Sequence, residues 1–245
     1  DIPEKILMRL DTEMEMTLGQ EKQDYFKFLL EVRPIEVVDK LIKKLISFST
    51  PIKLPVQQPF YITSPDSGKT SVLLLQKGCF FWGREKTPCK SGIHLALFLA
   101  PTIIGLIDVH EDFSHIKHRS QYYILPQTEC IGYSLPASLF SMKISEYNLW
   151  HDVNRILAHQ FMILNVKVSE LVGADAYTKV RTLLTELWLY PEEIRQQINV
   201  QSFIQVRTLL SRSQTFKILA ELKAGNYIKI KQGALFYLRK LPTAY

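Results

Sequence analysis

The chain has 245 residues, of which 47% are hydrophobic and 22% charged, and it carries a net charge of +6. These proportions are typical of a folded globular protein with one or two domains, and they exclude disordered and fibrous chains. The longest apolar stretch, residues 95–107, is broken by Pro101 and Gly105 and is shorter than the ~20 residues of a membrane helix. The N-terminus lacks a secretory signal, so we expect a cytoplasmic protein without a membrane segment.

The excess positive charge lies in the last third of the chain. Residues 174–245 contain 11 Lys and Arg against 5 Asp and Glu, whereas residues 1–173 contain 19 of each kind. A basic module joined to a neutral one suits a phosphate backbone, because Lys and Arg that neutralise phosphates dominate the affinity for nucleic acids. A domain that is basic without binding nucleic acid is the alternative interpretation.

The first half of the chain predicts helix and then sheet. Residues 1–33 are polar and charged, and we interpret them as an N-terminal helical extension of unassigned role; residues 34–48 follow as an amphipathic helix. Seven short β-like runs come next between turn residues, at 52–56, 60–63, 71–75, 79–82, 93–98, 122–125 and 130–135. Short strands without intervening helices predict a closed antiparallel roll, a sensor-like domain over residues 34–143.

A long helix is predicted next, because residues 146–171 contain neither Pro nor Gly. Its apolar side chains step by three or four positions and form one seam: Trp150, Val153, Leu157, Phe161, Leu164, Val168 and Leu171. Such a seam pairs with another helix, so we predict a dimerisation helix over residues 144–173, which Gly173 ends. Packing of the seam on the chain's own roll is the alternative interpretation.

The last module, residues 174–245, contains two short helical patterns, 200–208 and 211–223, that only a few residues separate. A tight pair of helices is the outline of a helix-turn-helix. Polar residues open the second helix, where a recognition helix reads base edges. The predicted DNA-binding residues there are Ser211, Arg212, Ser213, Gln214, Thr215 and Lys217.

The side-chain chemistry at this helix start suits base reading. Arg212 is suited to guanine and Gln214 to adenine, because these side chains form bidentate contacts with those bases, and Lys217 lies a turn further along the same face. A capped surface helix with a solvated first turn is the alternative interpretation.

A hairpin follows this helix. After the turn residues Gly225-Asn226, residues 227–231 alternate apolar and basic side chains, and residues 234–240 return as a second strand. The hairpin predicts a wing in which Lys229 and Lys231 contact phosphates.

The run Ser211-Arg212-Ser213-Gln214-Thr215-Phe216-Lys217-Ile218-Leu219-Ala220-Glu221-Leu222 resembles the recognition helix of the Crp/Fnr family of bacterial transcription regulators. The order of β-roll, long helix and winged helix-turn-helix is similar to that family too. More narrowly, the chain looks similar to the enterobacterial IprA group, inhibitors of hydrogen peroxide resistance. The similar segments are residues 101–108, 132–137, 148–150, 207–208, 211–213, 224–228, 239–242 and Tyr245.

The resemblance implies an α+β fold with an N-terminal cyclic-nucleotide-binding-like β-roll. It also implies a homodimer that binds double-stranded DNA at a near-palindromic operator, with recognition helices about 34 Å apart, and RNA polymerase as a further partner. Two departures leave the operator sequence open. Ser213 stands where the family has a base-reading Glu, and Leu209 replaces a small turn residue.

The effector site departs from the family as well. A cyclic-nucleotide site of this family requires a Gly-Glu pair for the ribose and an Arg-Ser or Arg-Thr pair for the phosphate. Here Leu106 follows Gly105, and the Arg-Ser pair Arg119-Ser120 lies in a loop-like run. We therefore expect no response to cyclic nucleotide, and Gly105, Arg119 and Ser120 are the candidate residues for any other effector.

Three cysteines without CxxC spacing argue against a disulfide framework, a structural zinc site and an iron–sulfur cluster. Cys79 and Cys89 flank a predicted turn, and two interpretations stand: a redox pair, or core residues. The roll also contains His94, His110, His115 and His118, for which a ligand set, including haem, and a solvated loop both stay open. We predict no metal and no cofactor.

Two classes of function fit these patterns. The leading hypothesis is a homodimeric DNA-binding regulator linked to oxidative-stress or host-associated gene control. The alternative is a β-barrel ligand-binding or protein-interaction module whose basic C-terminal domain docks an acidic protein. The sequence contains no nucleophile elbow, HExxH motif, P-loop or Gly-rich dinucleotide fingerprint, so we do not expect an enzyme.

Overall fold

The computed structural model describes residues 27–85, 92–109 and 121–242, without the side chains of residues 92, 93 and 167–170. The chain divides into two compact units. We call residues 34–168 the roll unit. The C-terminal unit combines residues 169–242 with residues 27–33, which include a short helical stretch.

The roll unit contains eight antiparallel strands among its described residues. They are β1 (Thr50–Leu54), β2 (Phe60–Tyr61), β3 (Ser71–Lys77), β4 (Cys79–Glu85), β5 (Gly92–Leu99), β6 (Thr102–Ile104), β7 (Tyr122–Pro126) and β8 (Cys130–Pro136). One sheet has the order β1-β8-β3-β6 and the other the order β2-β7-β4-β5. This arrangement confirms the predicted β-roll.

One strand, β6, has no counterpart among the seven predicted runs. It pairs with β3 so that Leu73 lies opposite Ile104 and Leu75 opposite Thr102. The signal for β6 is weak, because Pro101 precedes it directly and only three residues remain before Gly105.

The core of the roll unit joins a helix to the first sheet. Helix α1 (Ile35–Leu45) is the predicted amphipathic helix, and a 3-10 turn, Ile46–Phe48, continues it. Its buried side chains pack in one cluster with the sheet; the cluster includes Val38, Leu41, Leu45, Val72, Leu74, Ile103 and Leu135. Each large aliphatic side chain contributes about 1.5–3 kcal/mol by leaving water, so this face holds α1 on the sheet.

Two helices follow the strands, whereas the sequence predicts one continuous helix over residues 144–173. Helix α2 spans Ala137–Glu146, and helix α3 spans Trp150–Leu171. Between them Asn148 adopts a left-handed φ of 54°, and the amide of Leu149 donates to the carbonyl of Ile144. Asparagine tolerates this conformation, so a turn forms without the Gly or Pro that a sequence pattern would register. With 22 residues, α3 is about 33 Å long.

The C-terminal unit has the element order of a winged helix-turn-helix. Its elements are α4 (Ala176–Leu189), α5 (Glu192–Arg195), α6 (Val200–Thr208), α7 (Arg212–Ala224), β9 (Ile228–Lys231) and β10 (Ala234–Leu238). Fully buried side chains from four of these elements form its interior, among them Leu184, Ile204, Leu222 and Leu235. An ion pair between Glu186 of α4 and Arg207 of α6 lies in the same interior.

Candidate nucleic-acid interface

The turn between α6 and α7 brings the two helices together. Leu209 ends α6 in a left-handed conformation with a φ of 59°. The Thr208 hydroxyl donates to the carbonyl of Ile204 at 2.7 Å and accepts from the amide of Leu210 at 3.2 Å. These two hydrogen bonds fix a turn in which a leucine occupies a position where glycine is usual.

A capping box starts α7. The Ser211 hydroxyl accepts from the amide of Gln214 at 3.2 Å, and the Ser211 amide donates to Oε1 of Gln214, also at 3.2 Å. Such a cap stabilises a helix by about 1 kcal/mol. The oxygen of Gln214 is therefore engaged in the cap, and Gln214 would have to leave the cap to form the predicted bidentate contact with adenine.

Thr215 lies in the interior of the C-terminal unit, which corrects its predicted place among the DNA-binding residues. Its side chain is 0% exposed, and its hydroxyl donates to the carbonyl of Ser211 at 3.1 Å. It shares the buried face of α7 with Leu219 and Leu222. A side chain without exposed surface cannot contact a ligand in this conformation.

The remaining predicted residues of α7 lie outside its buried stripe. Arg212, Ser213 and Lys217 are all exposed, and a helix that turns about 100° per residue places them within one arc. Phe216, to which the sequence patterns assign no role, lies on this arc and is 64% exposed. In the sequence, the signal for its exposure is that Phe216 falls outside the helical stripe formed by Leu219 and Leu222. We call Arg212, Ser213, Phe216 and Lys217 the outer face of α7.

The wing carries exposed cations beside exposed aromatic rings. A β-bulge between Leu235 and Tyr237 shifts the register of β10 against β9. The Nζ of Lys231 lies 4.0 Å from the ring centroid of Phe236, and the Nζ of Lys229 lies 5.4 Å from that of Tyr237. These rings hold the two ammonium groups at the surface, where both predicted phosphate contacts stay accessible.

The tip of the wing is tied to the start of α6. The amide of Val200 donates to the carbonyl of Gly233 at 2.9 Å, and Asn199 caps α6 by accepting from the amide of Ser202. Gly233 has a φ of 84°, and a Cβ at this position would lie 2.6 Å from Nδ2 of Asn199. The positive φ therefore favours glycine here, whereas the approach to Asn199 involves the end of a side chain that can shift.

The residues of the predicted dimer seam of α3 differ in burial: some pack in the core of the roll unit and one is largely exposed. Val153 is buried in the core of the roll unit, and Trp150 and Leu157 pack partly against that core. Leu164 and Leu171 are half-buried, whereas Phe161 is 68% exposed. The side chain of Val168 lies outside the described residues.

Among the described side chains of α3, three outside the seam are buried. They are Ile156, Gln160 and Ile163. The amide of Gln160 donates to the carbonyl of Ile103 at 2.8 Å and to the hydroxyl of Thr102 at 3.3 Å, which ties α3 to β6. Because sequence spacing assigns a buried face to apolar residues only, it does not register a glutamine in this role.

Two of the predicted effector residues, Arg119 and Ser120, lie outside the described residues. Gly105 has a φ of 97°, and a Cβ there would lie 2.5 Å from the carbonyl oxygen of Ser71. The neighbouring Leu106 belongs to the hydrophobic core. Gly105 therefore has a structural reason to be glycine, apart from any ligand.

Cys79 and Cys130 are both buried free thiols, while Cys89 lies outside the described residues. The thiol of Cys130 donates to the carbonyl of Cys79 at 3.6 Å. Burial raises the pKa of Cys79 to about 11 and that of Cys130 to about 12. Thiols with such pKa values are protonated at neutral pH and react slowly.

The histidines of the roll unit are the remaining candidate ligands for a metal or haem. Buried His94 stacks on Phe81 with ring centroids 4.7 Å apart, and His110, His115 and His118 lie outside the described residues. Within the described part of the chain, no group of three or more His, Cys, Asp or Glu is placed to hold a metal ion. None of the described helices is long and apolar enough to cross a membrane.

Known proteins share both the C-terminal sequence and the fold. Residues 176–243 match a family described as winged helix-turn-helix DNA binding. Over 214 residues the chain is 29% identical to the inhibitor of hydrogen peroxide resistance of Escherichia coli (strain K12), and the match covers 87% of this chain and 98% of that protein.

Two solved structures illustrate the likeness in fold. CLP, the c-di-GMP responsive global regulator of Xanthomonas campestris, matches 82% of this chain and 100% of its own chain, with a TM-score of 0.65 and 13% identity. A CRP-family transcriptional regulator from Thermus thermophilus matches 77% of this chain and 92% of its own, with a TM-score of 0.58 and 18% identity. The chain thus has the fold of Crp/Fnr-type regulators, with a DNA-binding winged helix-turn-helix at its C-terminal end.

Proposed function

We propose that the protein is a transcription regulator that binds double-stranded DNA as a homodimer. The observation that carries this proposal is the exposed group Arg212, Ser213 and Lys217 at the start of α7. The wing, with exposed Lys229 and Lys231, belongs to the same unit. Together these residues supply polar groups for base edges and cations for phosphates, the two kinds of contact that specific DNA binding requires.

The electrostatics of the C-terminal unit support the same proposal. The module from residue 174 onward carries the whole net charge of +6. The positive end of the α7 helix dipole lies at its first turn, next to Arg212 and Ser213, and favours an approaching phosphate. In this proposal Arg212 and Ser213 read base edges, and Lys217, Lys229 and Lys231 neutralise phosphates.

The homodimer in this proposal pairs through the exposed side of α3. Phe161 places most of its ring in solvent, and the neighbouring Met162 is exposed as well. Burying such a ring against a second copy is favourable, and two copies of a recognition helix then meet a near-palindromic operator with half-sites about 34 Å apart. Val153 takes no part in the proposed contact, because the roll core already buries it.

The proposed regulator does not respond to cyclic nucleotide and has no catalytic step. Leu106, in the hydrophobic core, stands where the family's ribose-binding site requires a glutamate. The name of the Escherichia coli relative supports control of genes connected with hydrogen peroxide. Such a regulator acts in the cytoplasm, with RNA polymerase as its functional partner.

The test is a selection of bound fragments from a random pool of duplex DNA with the full-length protein. We expect enrichment of a two-fold symmetric motif, and loss of that motif with Arg212→Ala. Lys69→Ala is the matched control, because it removes one exposed positive charge from the roll unit. The control should enrich the same motif as the unmodified protein.

The alternative function, docking of an acidic protein by the basic C-terminal unit, gives a different result. No motif is then enriched, and residual binding to DNA depends only on its charge. Specific DNA binding combines a steep fall of affinity with salt and a specific-to-non-specific ratio of about 10³ or more. Absence of both would contradict the proposal and support the alternative.

A further inference from the structure

The outer face of α7 contains an exposed aromatic ring among its polar groups. Phe216 is 64% exposed, whereas Leu219 and Leu222 on the same helix are buried. With about 100° per residue, Phe216 lies between Arg212 and Ser213 on the helix circumference, about 40° from Arg212 and about 60° from Ser213. Any surface that contacts Arg212 and Ser213 therefore meets the Phe216 ring as well.

The rotation of α7 about its axis is fixed by its buried side. Thr215, Leu219 and Leu222 anchor the helix in the interior of the C-terminal unit, and the Ser211 cap holds its first turn. Turning Phe216 inward would bring these three side chains into water. The ring is thus held at the surface in the folded protein and is available to a partner.

Resting on the proposed DNA binding, we propose that Phe216 is a specificity-determining residue that contacts the C5-methyl group of thymine in the major groove. The thymine methyl is the apolar group that base edges present in this groove, and phenylalanine is one of the side chains that contact it. The polar neighbours Arg212 and Ser213 take the hydrogen-bonding positions of the adjacent base pairs. Phe216 adds discrimination between thymine and cytosine that these two side chains do not provide.

An apolar partner protein is the competing occupant of the ring, and the charges around it favour DNA. Arg212 lies one turn before Phe216, and Lys217 follows it directly, so exposed cations flank the ring. A hydrophobic protein surface would have to desolvate these cations, whereas DNA phosphates neutralise them. The adjacent cations and the positive end of the α7 helix dipole suit the same anionic ligand.

The experiment replaces thymine by deoxyuridine in the selected operator, one position at a time, which removes a methyl group and keeps base pairing. For the unmodified protein we expect about 4-fold weaker binding for each contacted methyl, the effect of about 0.8 kcal/mol per buried carbon. With Phe216→Ala, the thymine and deoxyuridine operators should bind equally. Phe28→Ala is the matched control, because it removes an exposed phenylalanine outside α7 and the wing and should keep the 4-fold difference.

Several outcomes overturn the inference while leaving DNA binding intact. They are equal binding of both operators by the unmodified protein, an unchanged thymine preference in Phe216→Ala, and an operator without thymine in its half-sites. The measurement on the unmodified protein needs no variant, so a folding defect in Phe216→Ala does not affect it. If no operator is enriched at all, the proposed function itself fails, which is a distinct result.

Discussion

Nη1 of Arg207 donates to Oε1 of Glu186 at 3.0 Å, and the two side chains are 0% and 2% exposed. The Tyr190 hydroxyl donates to the same oxygen at 3.2 Å. This ion pair joins α6, the first helix of the helix-turn-helix, to α4. Within the described residues, Nε and Nη2 of Arg207 have no hydrogen-bond partner. The desolvation of the pair is therefore compensated only in part.

Removing one member of this pair should destabilise the C-terminal unit strongly. Arg207→Met leaves the carboxylate of Glu186 buried without its counter-charge, at a cost of about 3–5 kcal/mol. We expect this loss in the free energy of unfolding from denaturant titration. The double variant Glu186→Leu with Arg207→Met should recover most of the stability, because apolar side chains can replace a buried pair without cost. A double variant as unstable as the single one would contradict this account.

Arg212 and Lys229 should affect DNA binding in different ways. Arg212→Ala should weaken binding to the selected operator by about 1–3 kcal/mol and relax its preference at one base pair. Lys229→Ala should weaken binding to all duplexes alike and reduce the salt slope by about 1. Fluorescence anisotropy with operator and scrambled duplexes at several salt concentrations measures both effects. Equal losses on both duplexes from both variants would contradict the division into base and phosphate contacts.

The proposed dimer should depend on Phe161. Phe161→Glu places a charge in the proposed contact, and because the ring is exposed in the single chain, we expect a folded monomer. Sedimentation equilibrium measures the change in mass, and circular dichroism checks that the fold is kept. Met142→Glu is the matched control on α2, because Met142 is also an exposed apolar residue and lies outside the proposed contact. Persistence of the dimer in Phe161→Glu would place the interface elsewhere.

Cys79 and Cys130 should resist alkylation in the native protein. With pKa values of about 11 and 12, raised by burial, their thiolate fraction at pH 8 is at least ~100-fold below that of an ordinary thiol. Iodoacetamide labelling followed by peptide mass spectrometry should find both residues unmodified until the protein is unfolded. Since the folded pKa values exceed the unfolded one, the thiols should also lower the stability as the pH rises above about 9. Rapid labelling of either residue at pH 8 in the folded protein would contradict their burial.

The roll and the winged helix-turn-helix could be predicted from the sequence because their patterns are local. Alternating apolar residues and turn residues mark seven strands, and the Ser211 run marks α7. The break at Asn148 could not be predicted, since a left-handed asparagine depends on the surrounding hydrogen bonds and not on composition. Strand β6 could not be predicted for a related reason. Its three residues are too few to form a pattern, and they become a strand only by pairing with β3.

The candidate site was less predictable than the fold. A polar residue at the start of a recognition helix reads as a contact residue, yet Thr215 turns inward and the oxygen of Gln214 completes the cap. Phe216 shows the opposite behaviour, because it is apolar and yet lies exposed at the surface. The polarity of each residue predicts which side chains of α7 are exposed. Their actual burial depends on how α7 is rotated against α4 and α6.

The hydrogen bond between Val200 and Gly233 has an entropic consequence for binding. A free hairpin tip would lose about 1–2 kcal/mol per residue in backbone freedom when a ligand orders it. Here the contact with the start of α6 fixes the tip before any ligand arrives. The wing can therefore meet a phosphate backbone as a preformed arm, and the free energy of its lysine contacts is available for affinity instead of being consumed by ordering.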